Sequence, residues 1–184
     1  RYELFTSHEI LASKLRISRH DNKSTRGLAG EASKFQRLLK RCQGIAELKQ
    51  IHAHFILSPH HQPLNMATLI AQLYINCGVA HLKHAVGILH QVPNPSLYLY
   101  NVVMRGYSES RIPSKTIFFF KQMVGSALKP DNFTYPFVLK SIARTFALME
   151  GIQIHGFVIK TGFDGDGFVH NTLMNIVLVH QTRP

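Results

Sequence analysis

A recurrence every thirty-five residues constrains this chain more than any single motif does. Tyr100-Asn101 returns as Tyr135-Pro136 and again as His170-Asn171, and Asp131 returns as Asp166, each time 35 positions on. Between these marks the apolar residues fall at offsets of three and four, in two runs per period, and glycine or proline interrupts the runs. A fixed period in the thirties with two amphipathic helices per period is the mark of a solenoid. Each hairpin there buries its apolar face against its neighbours, and the core is a strip instead of a ball.

Taken in order, the units fall at 32–63, 64–96, 97–131, 132–166 and an incomplete 167–184. In the first, Phe35, Leu38, Leu39 and Cys42 share a helix face up to Gly44, and Leu48, Ile51, His52, Phe55 and Ile56 form a second run before Ser58-Pro59. The second has Met66, Leu69, Ile70, Leu73 and Tyr74, a break at Cys77-Gly78, then Leu82, Ala85, Val86, Ile88 and Leu89 up to Val92-Pro93. Residues 97–131 are the best-formed period. Val102, Val103 and Arg105-Gly106-Tyr107 lie in its first helix, Pro113 starts the second, and Ile117, Phe118, Phe120 and Met123 carry that helix to Gly125. The fourth unit places Phe137, Val138, Lys140 and Ser141 before Glu150, Ile152, Ile154, His155, Val158 and Ile159, and ends at Thr161-Gly162. Gln50-Ile51-His52-Ala53 and Gln153-Ile154-His155-Gly156 stand 103 positions apart, the distance of three such units, so unit types alternate. The last helix, from Phe168, has no second helix after it, and its face of Leu173, Ile176 and Val177 is expected to be under-packed.

Residues 1–31 show no sustained apolar periodicity and read as a basic disordered leader, in the style of an organelle transit peptide remnant or a plain basic extension. The chain starts at Arg1 and stops inside a period, so both ends are read as truncations. Twenty-one basic side chains oppose ten acidic ones, for a net charge of +11. The excess declines along the chain: 11 basic against 5 acidic in 1–63 (+6), 6 against 2 in 64–131 (+4), and 4 against 3 in 132–184 (+1). A polyanionic partner and a simply solvated basic surface both account for this balance. Cys42 and Cys77 are isolated, which argues against a disulfide framework. No apolar window approaches the roughly 18–20 residues of a bilayer span, so no membrane partner is expected.

From about Ala32 onward the chain resembles the plant pentatricopeptide repeat proteins, in the subfamily where standard, long and short repeats alternate. The resemblance rests on linked motifs: Tyr100-Asn101-Val102-Val103-Met104-Arg105-Gly106-Tyr107 with Lys129-Pro130-Asp131 for a standard repeat, and Phe133-Thr134-Tyr135-Pro136-Phe137-Val138-Leu139-Lys140 for a long one. Tyr74-Ile75-Asn76-Cys77-Gly78 with Val92-Pro93 is similar to a short repeat. The first, long-type unit is short at 32 residues, and Val79-Ala80-His81-Leu82-Lys83 lengthens the turn of the second. The resemblance implies an all-α, right-handed solenoid of helix-turn-helix repeats that binds single-stranded organellar RNA, in mitochondrion or chloroplast.

In such proteins the fifth and last residues of a repeat face one base. This implies base-reading pairs Asn101 with Asp131, Thr68 with Ser96, and Pro136 with Asp166, and Asn171 as the fifth residue of the incomplete unit. An asparagine amide offers a donor and an acceptor to a pyrimidine edge, and a carboxylate behind it can hold the amide directly or through water. The family associates the Asn and Asp pair with uridine. Pro136 offers neither donor nor acceptor, so its unit is expected to read weakly. Tyr98, Phe133 and Phe168 stand where base packing is expected, at roughly 1–3 kcal/mol per stacked base. Each has a plain structural alternative: Asn101 as a helix N-cap, Asp131 as a turn residue and cap, the three aromatics as packing between repeats.

Twelve histidines invite a metal hypothesis, but their spacings lack the paired short intervals of a zinc site, and His52 and His155 are equivalent positions of two long-type units. No metal and no cofactor are implied. No nucleophile, base and orienter can be assembled, and the zinc deaminase signature is missing, so the chain is not read as an enzyme. The function expected is site recognition for C-to-U editing, with a deaminase or other editing factor supplied in trans. The rivals are organellar RNA stabilisation or splicing, and a peptide-binding helical-repeat scaffold.

Overall fold

A computed structural model describes residues 35–57 and 64–181, and these are helical with no strand among them. The leader at 1–31, the flanks of the first unit at 32–34 and 58–63, and residues 182–184 lie outside the described residues. In chain order the helices are α1 (residues 35–41), α2 (Ile45–Leu57), α3 (Leu64–Asn76), α4 (Leu82–Gln91), α5 (Leu97–Glu109), α6 (Ser114–Gly125), α7 (Thr134–Thr145), α8 (Leu148–Lys160) and α9 (Gly167–Gln181). A single 3-10 turn, Val79–His81, fills the extended connection between α3 and α4.

The odd-numbered helices α3, α5, α7 and α9 stack on one another, and α2, α4 and α6 each pack against the odd helix that follows. The result is two layers with a continuous apolar seam between them. Tyr74 and Ile70 of α3, Leu99, Val103 and Met104 of α5, Phe120 and Met123 of α6, and Tyr135, Leu139 and Ile142 of α7 are all buried in that seam. Truncating a side chain such as Leu139 to alanine would cost about 2–5 kcal/mol, because the cavity left behind cannot fully collapse.

Local chemistry explains where the helices stop. At the end of α6 the amide of Leu128 donates to Met123 O at 3.3 Å and that of Ala127 to Val124 O at 2.9 Å. This is the double bond of a Schellman turn, and it forces Ala127 to a φ of 60°. Thirty-five residues on, the turn recurs: Phe163 donates to Val158 O and Gly162, at φ 75°, takes the left-handed position. Gly106 answers a different need. A Cβ there would lie 2.6 Å from Cδ1 of both Ile75 and Leu82, so the side chain is omitted where α5 crosses α3 and α4.

Two expectations from the sequence change. Phe118 does not face the seam; it is 56% exposed, and Phe119 is buried in its place, stacked on Tyr107 at 5.3 Å. A run of three phenylalanines hides the helical register, and tertiary packing sets it. In the fourth hairpin, α8 buries only Ile154 and Val158, leaving Ile152 and Ile159 exposed. Leu173 of α9 is half-buried and packs against the core, while the side chains of Ile176 and Val177 lie outside the described residues.

Candidate nucleic-acid interface

The polar centre of the molecule sits where α5 meets the start of α7. Asp131 closes the loop after α6, and its Oδ1 accepts from the amides of Phe133 at 3.1 Å and Thr134 at 2.8 Å, capping the first turn of α7. The same oxygen accepts from Asn101 Nδ2 at 3.0 Å, across a sequence separation of thirty residues. Thr134 Oγ1 lies 2.9 Å from Asn101 Oδ1 and 2.7 Å from Asp131 Oδ1, so its one proton is shared between two acceptors, while the oxygen accepts from Asp131 N at 3.2 Å. An ionised carboxylate only accepts, so the NH2 end of Asn101 has to face it. Asn101 is 5% exposed and Thr134 fully buried, which makes these bonds costly to leave unmade.

Asn101 lies within α5 and does not cap it. Ser96 does, accepting from Leu99 N at 3.2 Å. Asp166 performs the same service for α9, accepting from Phe168 N at 2.9 Å and Val169 N at 3.1 Å. Residues 96, 131 and 166 are therefore equivalent helix caps. The structure brings Asn101 and Asp131 together, so Asp131 serves as cap and partner at once. It joins Pro136 to Asp166 by no hydrogen bond, since proline has nothing to donate. Pro136 occupies the first turn of α7, where a missing N–H leaves no helical bond unmade. Thr68 is buried in α3, and Asn171 is exposed on α9.

Tyr98, Phe133 and Phe168 are 62%, 61% and 69% exposed. Packing between repeats does not account for such exposure. Each ring stands at a helix start, next to the cap and within four residues of the fifth position. Beside Tyr98 a cleft of about 590 Å³ is lined by Gln36, Met66, Thr68, Leu69, Gln72 and Ser96.

Three relatives extend the internal recurrence to other proteins. A pentatricopeptide repeat-containing protein of Arabidopsis thaliana is 35% identical over 172 residues, which cover 91% of this chain and 28% of that protein. A second, putative pentatricopeptide repeat-containing protein of the same plant is 30% identical over 76% of this chain and 25% of its own length. A third, named as chloroplastic, is 33% identical over 76% and 19%. No family model matches the chain. The chain belongs to the pentatricopeptide repeat family. It spans 19–28% of the length of these curated relatives.

In this pentatricopeptide repeat chain, polar ties run between successive odd helices further along the same face. Arg105 donates to Asn76 Oδ1 at 2.7 Å, Arg144 donates to Ser108 O, and Lys140 meets Glu109 at 3.4 Å. The Lys140 pair is exposed at both ends and adds little to stability. At the other end, His52 Nδ1 and Tyr74 Oη are 3.1 Å apart and His84 stacks on the tyrosine ring at 4.8 Å. Burial lowers the His52 pKa, helped by His84, and pushes the Tyr74 hydroxyl up to about 12, helped by the Cys42 and Cys77 thiols. No group of three or more His, Cys, Asp or Glu among the described residues could hold a metal ion. No helix among them is long and apolar enough to cross a membrane.

Sequence reasoning missed Thr134 as a member of the polar centre. Asp131 ahead of an apolar run is a helix-start signal, but the reciprocal partner of such a cap is ordinarily Glu or Gln three residues on, and the sequence has Thr there. The local signal ends at the cap, because the bond from Thr134 to Asn101 joins residues of adjacent hairpins, which no local pattern reports.

Proposed function

We propose that this chain is part of a sequence-specific binder of single-stranded RNA in a mitochondrion or chloroplast. The observation that carries the reading is the amide of Asn101, held by Asp131 beside the exposed rings of Tyr98 and Phe133. Its units divide at 63/64, 96/97, 131/132 and 166/167, in the alternation of long, short and standard types. Asn101 with Asp131 selects uridine. Thr68 with Ser96 and Pro136 with Asp166 supply weaker readings, Pro136 the weakest, and Asn171 opens the next position. Tyr98, Phe133 and Phe168 pack between successive bases. The net charge of +11 supports a polyanionic ligand and implies a salt-dependent affinity.

Within that reading, the role is site recognition for C-to-U RNA editing, with a deaminase or other editing factor acting in trans. Fluorescence anisotropy with RNAs that differ at one base tests the central statement. Asn101→Ala should erase the uridine preference of its position, and an unaltered preference refutes base reading by Asn101.

A second reading rests on the cleft beside Tyr98. Met66 and Leu69 give it an apolar wall, and none of its lining residues is charged. Such a wall suits a peptide, as in helical-repeat scaffolds. Competition between a uridine-rich RNA and an apolar peptide library for the same face separates the two.

A further inference from the structure

We propose that Thr134 is a positioning residue for base selection by Asn101, so that the reading of one unit is set partly by the first turn of the next. This rests on the reading of Asn101 as a base-facing residue. One hydrogen bond fixes a point and leaves an amide free to turn about it. The bond from Asn101 Nδ2 to Asp131 Oδ1 is one such point. The Thr134 hydroxyl, 2.9 Å from Asn101 Oδ1, is the second, and together with the covalent anchor at Cβ the two points fix the amide plane. Pairing with a base edge is directional within that plane, so an amide that rocks about one bond discriminates less sharply.

The hydroxyl is suited to this task by its surroundings. Thr134 is fully buried, and its oxygen is itself held by Asp131 N at 3.2 Å, so its proton can only reach Asn101 Oδ1 or Asp131 Oδ1. Reversing the amide would set Asn101 Oδ1 against the carboxylate. The observed orientation satisfies donor and acceptor at both ends. At the equivalent places in the first turns of α5 and α9 the residues are Leu99 and Val169, which have the cap bond through their amides and no hydroxyl. Those two caps need only the backbone of this residue; the side chain at 134 bonds the capping Asp131 and, unlike Leu99 or Val169, also reaches Asn101.

Thr134→Val keeps the shape and the capping amide and removes the hydroxyl, and Thr134→Ser keeps the hydroxyl. In the free protein, solvent exchange of the Asn101 side-chain amide protons followed by NMR should quicken by about three- to tenfold in Thr134→Val, the equivalent of one neutral hydrogen bond. It should stay near the wild-type rate in Thr134→Ser. With RNAs bearing each of the four bases at this position, the preference for uridine over cytidine should narrow by about the same factor in Thr134→Val and return in Thr134→Ser. Unchanged amide exchange in Thr134→Val overturns the proposal, as does an unchanged preference where the wild type discriminates. A wild type that binds all four bases equally refutes base selection by Asn101 and the selective role of Thr134 with it, whereas amide exchange alone still decides whether Thr134 holds the side chain.

Discussion

The junctions at Asp131 and Asp166 are the same piece of structure used for different amounts of work. In each, a Schellman turn ends one helix, an aspartate follows, and its Oδ1 caps the next odd helix through the amides two and three residues on. At Asp131 that oxygen also holds Asn101, whereas at Asp166 the equivalent partner is Pro136 and the carboxylate caps only. The cap is therefore the structural element, present whether or not a base is read. In the proposed reading, selectivity is added to it by what stands at the fifth position of the unit and the third of the next.

The largest expected effect separates the two aspartates. Asp131→Ala should lower unfolding stability by about 2–3 kcal/mol in urea titration, since cap and buried amide partner are lost together, against about 1 kcal/mol for Asp166→Ala. Equal losses would break the distinction. Next, Pro136→Asn combined with Val169→Thr rebuilds the missing network around the existing Asp166. Binding assays should then show a new uridine preference one position along, of about 1 kcal/mol, and no gain would mean that the cap geometry alone does not position the amide.

The two turns offer a smaller test. Ala127 and Gly162 hold the same left-handed position. Gly162→Ala should destabilise and Ala127→Gly should be neutral to stabilising, each by about 0.5–1 kcal/mol in thermal unfolding. The smallest effect concerns His52 and His155, equivalent in sequence and opposite in setting. His52 is half-buried against Tyr74, its pKa lowered by burial and His84, while His155 is exposed on α8. A histidine kept neutral by folding binds fewer protons than in the unfolded chain, whose value is near 6.5. Its stabilising contribution is present above that pH and is lost as pH falls from it through the lower value of the folded state. The melting temperature should drop on acidification, and His52→Gln should flatten that drop.

Much of the fold was legible because its contacts are local. Pro113 at a helix start, the thirty-five-residue spacing and the alternating runs of Leu, Ile and Val place helix pairs without any knowledge of distant partners. Register within Phe118-Phe119-Phe120 was not legible, because three identical residues carry no periodic signal and only the position of α5 and α7 decides which two are covered. The family resemblance assigns Ser96 and Asp166 to base reading and gives no sign of their capping role. Their capping bonds became visible once the loop conformations placed each side chain over the next helix.

The sequence by itself determined that this chain forms stacked helical hairpins, since period, amphipathic runs and breakers all act within a few residues. Tertiary structure decided which of the recurring positions work together. Asn101, Asp131 and Thr134 meet only because α5 and α7 stack, and a hydrogen bond between residues thirty-three apart depends on three-dimensional proximity that no spacing rule encodes.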